Sequence, residues 1–177
     1  KKDENKINLD TPINEYLNDF SIKSRFKNAK PISIRNILHH RAGLPRDTTL
    51  LSDSNEYLNK DIRIKEVIQK AKNLYTAYPP EYRYKDSALG INILAGIIEE
   101  VSGMTYYEYI EKNIIKPLGL NNTTYDSDKV RHNTPVHGYK TTKNKENIAT
   151  KETYNNKLPS LNIYTNMNDL NKLVKFI

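Results

Sequence analysis

Residues 82–103 read YRYKDSALGINILAGIIEEVSG, and the fold turns on what surrounds the apolar run inside that stretch. Leu94, Ile97, Ile98 and Val101 recur at helical spacing, while Ile91, Ile93 and Ala95 fill most of the remaining circumference. A surface helix shows one apolar stripe, so a helix apolar nearly all round belongs at the centre of the core. Gly103 stops it, and Asp86 or Ser87 is placed to cap its start. Directly ahead of the cap stand Tyr82, Tyr84, Lys85 and Asp86. That cluster is either an active-site loop or only the turn that begins the helix.

Outward from this helix the periodicity continues. Thr105 and Glu108 form a capping box for a second helix, in which Tyr109, Ile110, Ile114 and Leu118 are expected to face inward. Upstream, Ile64, Val67, Ile68 and Ala71 predict a surface helix with a lysine-rich outer face, and the run YPP at 78–80 closes that region. Ser33 is the expected cap of IRNILHHRAGLP, which Gly43 and Pro45 terminate. Asp10 and Pro12 predict a short amphipathic helix with Ile13, Tyr16, Leu17 and Phe20 inside. Residues 46–60 are too polar for a core, and 121–156 lose the helical period and read as short strands and loops. Asn166 is the expected cap of a last helix with Leu170, Leu173, Val174 and Ile177 on one face. No repeats are visible.

The chain has 177 residues, 37% of them hydrophobic and 28% charged, enough for one domain with a real core. The absence of cysteine excludes disulfides, a cysteine nucleophile and thiolate metal sites. No run approaches the roughly 18 apolar residues of a membrane span, and KKDENKINLD lacks the features of a signal peptide. A formal charge of +7 favours anionic partners, among them an anionic cell-wall polymer, a membrane surface or nucleic acid. Nucleic acid rests on charge alone, because no zinc finger, phosphate loop or RNP-like string accompanies the basic residues.

Three blocks, in order, resemble the β-lactamase and penicillin-binding serine hydrolase family, in its class C-like, DD-peptidase and esterase branch. They are KINLDTPINEYLNDF with ISIRNILHHRAGLP, then GINILAGIIEEVSGMTYYEYIEKNIIKPLGLNNT, then NIYTNMNDLNKLVKFI. The resemblance implies an α/β (α+β) fold in which a helical lobe packs on an antiparallel sheet and the active site lies in the cleft between them. Residues 1–177 are then a single segment of that larger domain, mostly helical lobe with short strands. It also implies a Ser-x-x-Lys helix roughly a dozen residues before Lys1 and a Lys-Thr-Gly or His-x-Gly strand after Ile177. The implied substrates are D-alanyl peptides, β-lactams or esters, met outside the cytoplasm of a bacterium. The chemistry is a serine acyl-enzyme, which calls on no cofactor or metal. The segment alone, without serine and lysine, is expected to be inactive.

Inside the segment, the resemblance puts a proton-relaying tyrosine of a Tyr-x-Asn loop near residues 84–86. Tyr84 offers the phenol, with Asp86 where the amide is expected. A gapless match through the helix instead sets Asp86 at the tyrosine position, because the pattern holds its helix glycine nearer the tyrosine than Gly90 is to Tyr84. Chemistry favours Tyr84 and arithmetic favours Asp86. The Leu161–Asn162 pair, where glycines are common in the family, is a second departure. Both allow an inactive homologue serving as a cell-envelope binding or regulatory module.

Other candidates read as structural. Ser24 to Lys27 spell Ser-x-x-Lys in a basic loop, without the helix that would set both side chains on one face. His39 and His40 are adjacent, so on a helix they point about 100° apart and cannot share an ion. His40 matches a histidine of the family pattern and reads as a hydrogen-bonded structural residue. His132 and His137 are weaker candidates still, and the sequons in NNTT at 121–124 carry meaning only in a eukaryotic secretory context.

Overall fold

The computed structural model describes residues 7–46, 63–130, 138–141, 147–150, 159–160 and 163–176. Among these, α1 spans Ile34–Leu38, α2 Ile64–Ala71, α3 Ala88–Ser102, α4 Tyr106–Ile110, α5 Ser127–Val130 and α6 Met167–Phe176. Strands β1 (Gly138–Thr141) and β2 (Asn147–Thr150) pair antiparallel, Gly138 opposite Thr150. The described part is mostly helical. The polar stretch from 47 to 62, His132, His137 and the Leu161–Asn162 pair lie outside it.

Helix α3 is the centre of the main core, as its sequence requires. Its inner wall is Leu89, Ile93 and Ile97 with Ala95, all buried, and Asn92 is fully buried beside them. Leu94 and Val101, expected on the inward stripe, are instead half-buried. The reason is the small residue Gly96: a Cβ there would lie 2.3 Å from Ile68 Cδ1, so α2 seats directly on this face. Close approach of a neighbouring helix, rather than apolarity alone, selects which side is covered. Ile64, Val67, Ile68 and Ala71 of α2 are buried as the periodicity predicts, each isoleucine or valine worth roughly 1.5–3 kcal/mol.

The caps explain the helix starts. Ser33 accepts from Asn36 N–H at 3.2 Å while the Asn36 side chain accepts from Ser33 N–H at 3.0 Å, a reciprocal box that satisfies two otherwise orphaned donors. Thr105 and Glu108 make the same box, and Gly103 ends α3 with φ +67°. The hydroxyl of Thr105 holds the Glu108 carboxyl below its ordinary range. The expected helix at Asp10 is only a 3-10 turn, Ile13–Glu15. Asp10 does not cap it, since both its oxygens face Arg35, at 2.6 and 2.9 Å. Ile13, Leu17 and Phe20 are buried nonetheless.

A π turn, Glu111–Ile115, continues α4. Lys116 N–H reaches back to Glu111 O at 3.0 Å, five residues away. The wide turn rotates the succeeding residues about the helix axis, so Ile115 is buried where Ile114 was expected, with Ile110 and Leu120. Turns of this kind are not visible in a 3.6-residue period.

The one-sided apolar pattern of helix α6 does not mark its most buried residue. Its Asn166 cap is present, accepting from Asp169 N–H at 2.9 Å. Leu170 and Val174, however, are exposed, and the buried residue is Asp169, 1% exposed. Its carboxylate accepts from Asn122 N–H at 2.7 Å, Thr123 Oγ1 at 3.0 Å and Lys172 Nζ at 3.3 Å. Burial pushes the Asp169 carboxyl up, but these three donors outweigh it and hold the group below the usual carboxylate range. Charge, not apolar packing, anchors this helix. A depressed folded value adds stability above the unfolded carboxylate pKa of about 4, and that stability is lost as pH falls through the folded value. Amide exchange protection of residues 167–173 is therefore expected to hold from pH 7 to about pH 4 and to fall below it. Asp169→Asn should flatten that dependence, and an unchanged acid profile in the variant would assign the anchoring elsewhere.

Candidate active site

Two loops meet at the N-terminus of α3, and backbone hydrogen bonds hold them together. Ala77 N–H donates to Gly43 O at 2.8 Å, Glu81 N–H to Arg41 O at 2.8 Å and Lys85 N–H to His40 O at 2.7 Å. Arg41 Nη2 returns to Glu81 O at 2.6 Å. The HHRAGLP block and the YRYKDS block thus form one irregular ladder, far apart in sequence and adjacent in space. His40 (φ +54°) and Glu81 (φ +70°) both adopt left-handed backbone to permit it. Such conformations in non-glycine residues cost free energy and persist where surrounding contacts fix them.

Ser87 closes the ladder onto the helix. Its hydroxyl donates to Pro45 O at 2.6 Å and accepts from Gly90 N–H at 3.0 Å, so it is the N-cap and its one proton is engaged. Asp86 is the residue before the cap. Tyr84 lies two residues further out and is exposed. Both converge on one side chain. The Tyr84 ring meets the His40 imidazole edge-on, centroids 5.5 Å apart, and Asp86 Oδ1 lies 3.6 Å from His40 Nδ1. That separation is an electrostatic contact rather than a hydrogen bond.

The ladder therefore brings both sequence candidates, Tyr84 and Asp86, to the same imidazole. His40 joins the ladder through its backbone carbonyl, a bond that any residue could make, while its ring lies against both candidates, which sequence reasoning did not anticipate. The signal was present in the family match of His40. Tyr82 is turned elsewhere and stacks on Tyr78, centroids 6.0 Å apart, while Arg83 covers the Tyr78 ring at 4.9 Å. Ser24 sits in an exposed turn, its Oγ accepting from Phe26 N–H at 3.1 Å, so the literal Ser-x-x-Lys has no helix under it.

Chemically, an exposed phenol and a carboxylate around a histidine can pass a proton to or from a bound group. The serines at the ladder and at α1, Ser87 and Ser33, are committed to helix caps.

This helical arrangement is that of the penicillin-binding-protein-like fold. The octameric penicillin-binding protein homologue from Pyrococcus abyssi superposes with a TM-score of 0.79 at 23% identity, over 98% of this chain and 40% of that one. A family model described as Beta-lactamase matches residues 1–176, and the chain belongs to that family. Beta-lactamase-like protein 4 of Dictyostelium discoideum is 33% identical over 143 residues, 75% of this chain and 25% of the relative. Teichoic acid D-alanine hydrolase of Staphylococcus aureus is 30% identical over 127 residues, 70% of this chain and 28% of the relative. The chain thus spans about a quarter of the length of the curated relatives it matches.

Proposed function

We propose that residues 1–177 are one segment, the helical lobe, of a penicillin-recognising serine hydrolase whose sheet and nucleophile helix are carried by further chain. A serine there attacks the carbonyl of a D-alanyl peptide, a β-lactam or an ester, and a neighbouring lysine takes the serine proton. Backbone N–H groups stabilise the oxyanion. Tyr84 hands a proton to the departing amine or alcohol, and water then releases the acyl group. His40 and Asp86 position the phenol. The observation that carries this reading is the ladder that holds an exposed Tyr84 against His40 immediately before α3. Relatives named as hydrolases of D-alanine substituents support the substrate class. On this reading the protein works outside the cytoplasm of a bacterium, where D-alanyl cell-wall substrates are met.

A fluorescent penicillin or fluorophosphonate, applied to the full-length protein, is expected to form a covalent adduct that survives denaturation. Absence of any adduct with both probes would favour the second reading, a non-catalytic envelope-binding module. That reading draws on Asp86, a carboxylate where the resemblance calls for a phenol or an amide.

A further inference from the structure

Tyr106 and Tyr107 open α4, and both rings meet Tyr125, which stands just before α5. Tyr107 and Tyr125 are 5.0 Å apart at an angle of 61°, a corner rather than a stack. Both line a cavity of about 300 Å³ whose other walls include Glu108, Glu111, Asp126 and Lys129. Apart from Ile115 the lining residues are half-buried or exposed, so a small molecule can enter. The π turn supplies Glu111 and Ile115 to this wall, and single π turns are frequent at functional sites. Burial above all, and then the Tyr106 hydroxyl 3.4 Å away, pushes the Tyr125 phenol up, so this ring stays a neutral aromatic.

Charge and aromaticity together narrow the occupant. Three carboxylates stand against one lysine, which disfavours an anion. Glu108 is ionised at neutral pH, because the hydroxyl and the N–H of Thr105 hold its carboxyl below the ordinary range. Glu111 also faces Lys116 at 3.9 Å, but that pair is exposed to solvent and holds weakly. An uncharged apolar molecule would cover these carboxylates without replacing their water. A bare metal ion is not served either, since no three His, Asp or Glu side chains among the described residues are grouped to hold one. An organic cation uses both features: its charge meets the carboxylates, and its alkyl groups lie on tyrosine rings whose π systems are negative on the face. In an edge-to-face pair, the ring that supplies the edge keeps both faces clear of its partner. We propose that this pocket binds an alkylammonium group, quaternary or primary, seated at Tyr107 and Tyr125 with Glu108, Glu111 and Asp126 as counter-charges. The site shares no residue with the Tyr84 ladder, and binding there does not depend on the hydrolase reading.

The test is calorimetric titration of the full-length protein with choline, with butylammonium and with dimethylbutanol, the neutral carbon isostere of choline. At least one of the two cations is expected to bind, and the neutral alcohol about tenfold more weakly or not at all. Tighter choline assigns a quaternary head group and tighter butylammonium a primary amine such as a lysine side chain, and either supports the pocket. Tyr125→Leu should weaken the binding about 2- to 30-fold, the range a cation–π contact supplies. Tyr125→Phe keeps the ring and should bind as the parent does. Lys129→Gln removes the like charge and should tighten binding roughly two- to fivefold, a gain that a merely structural lysine would not give. If Tyr125→Leu does not fold, the isostere comparison on the parent and Lys129→Gln decide. Absence of binding by both cations at millimolar concentration would overturn the proposal. So would equal binding of the neutral alcohol, parent-like binding by a folded Tyr125→Leu, or weaker or unchanged binding by Lys129→Gln.

Discussion

Tyr84→Phe in the full-length protein is expected to slow acylation by about 10²- to 10⁴-fold, the range that a positioned general acid or base supplies. A phenol has an ordinary pKa of about 10 and remains a competent acid for an amine or alcohol leaving group when cations bring it toward neutrality. An aspartate is ionised near pH 4 and has no proton to give at neutral pH unless its environment raises it greatly. Asp86 is exposed and lies 3.6 Å from His40 Nδ1. Tyr84→Phe removes only an exposed hydroxyl and keeps the ring edge against His40, so stability should change by no more than about 0.5 kcal/mol. Asp86→Asn should lower the rate less, since the amide occupies the same space beside His40. Pre-steady-state acylation by nitrocefin or p-nitrophenyl acetate, alongside thermal melts, separates the roles. Full activity of Tyr84→Phe together with inactivity of Asp86→Asn would hand the relay to Asp86 and establish the gapless register.

The range of each interaction decides whether the sequence reveals it. Ser33, Ser87, Thr105 and Asn166 act on donors within three residues, so their caps are readable from local spacing. The burial of α2 comes directly from its period. The failures are mostly non-local. Asp10 forgoes its helix for Arg35, twenty-five residues away, and Asp169 is buried because Asn122 and Thr123 lie beneath it. The half-buried flank of α3 reflects where α2 can approach, which a single helix cannot declare. At the candidate site the cluster before α3 was legible as a loop of interest, but its pairing with His40 rests on a ladder between segments some forty residues apart. Only the resemblance of HHRAGLP to the family pattern hinted at that neighbour.

That ladder is also the most fragile part of the site. Its first rung is Gly43, with φ +69°, where an added Cβ would fall 2.0 Å from the carbonyl oxygen of Tyr78 and 2.8 Å from its carbonyl carbon. No rotamer change can relieve this contact, because the Cβ is fixed by one backbone and the obstacle is another. Gly43→Ala therefore combines left-handed strain of about 1–2 kcal/mol with a backbone displacement of about 1–3 kcal/mol, roughly 2–5 kcal/mol together. Gly103 provides the comparison, since it has nearly the same φ, +67°, and nothing within 4 Å of the added atom. Gly103→Ala should show only the strain. In melts each kcal/mol lowers Tm by roughly 2–4 °C for a domain of 150–250 residues and by less for a larger one, so in the full-length protein Gly43→Ala is expected to melt lower than Gly103→Ala. The displaced strand would also lose the Ala77 to Gly43 hydrogen bond and carry residues 78–86 away from His40. Acylation by Gly43→Ala should then fall even at temperatures where the protein remains folded, while Gly103→Ala keeps its activity. Equal melting temperatures and equal rates for the two variants would show that the Gly43 contact with Tyr78 does not hold the site together.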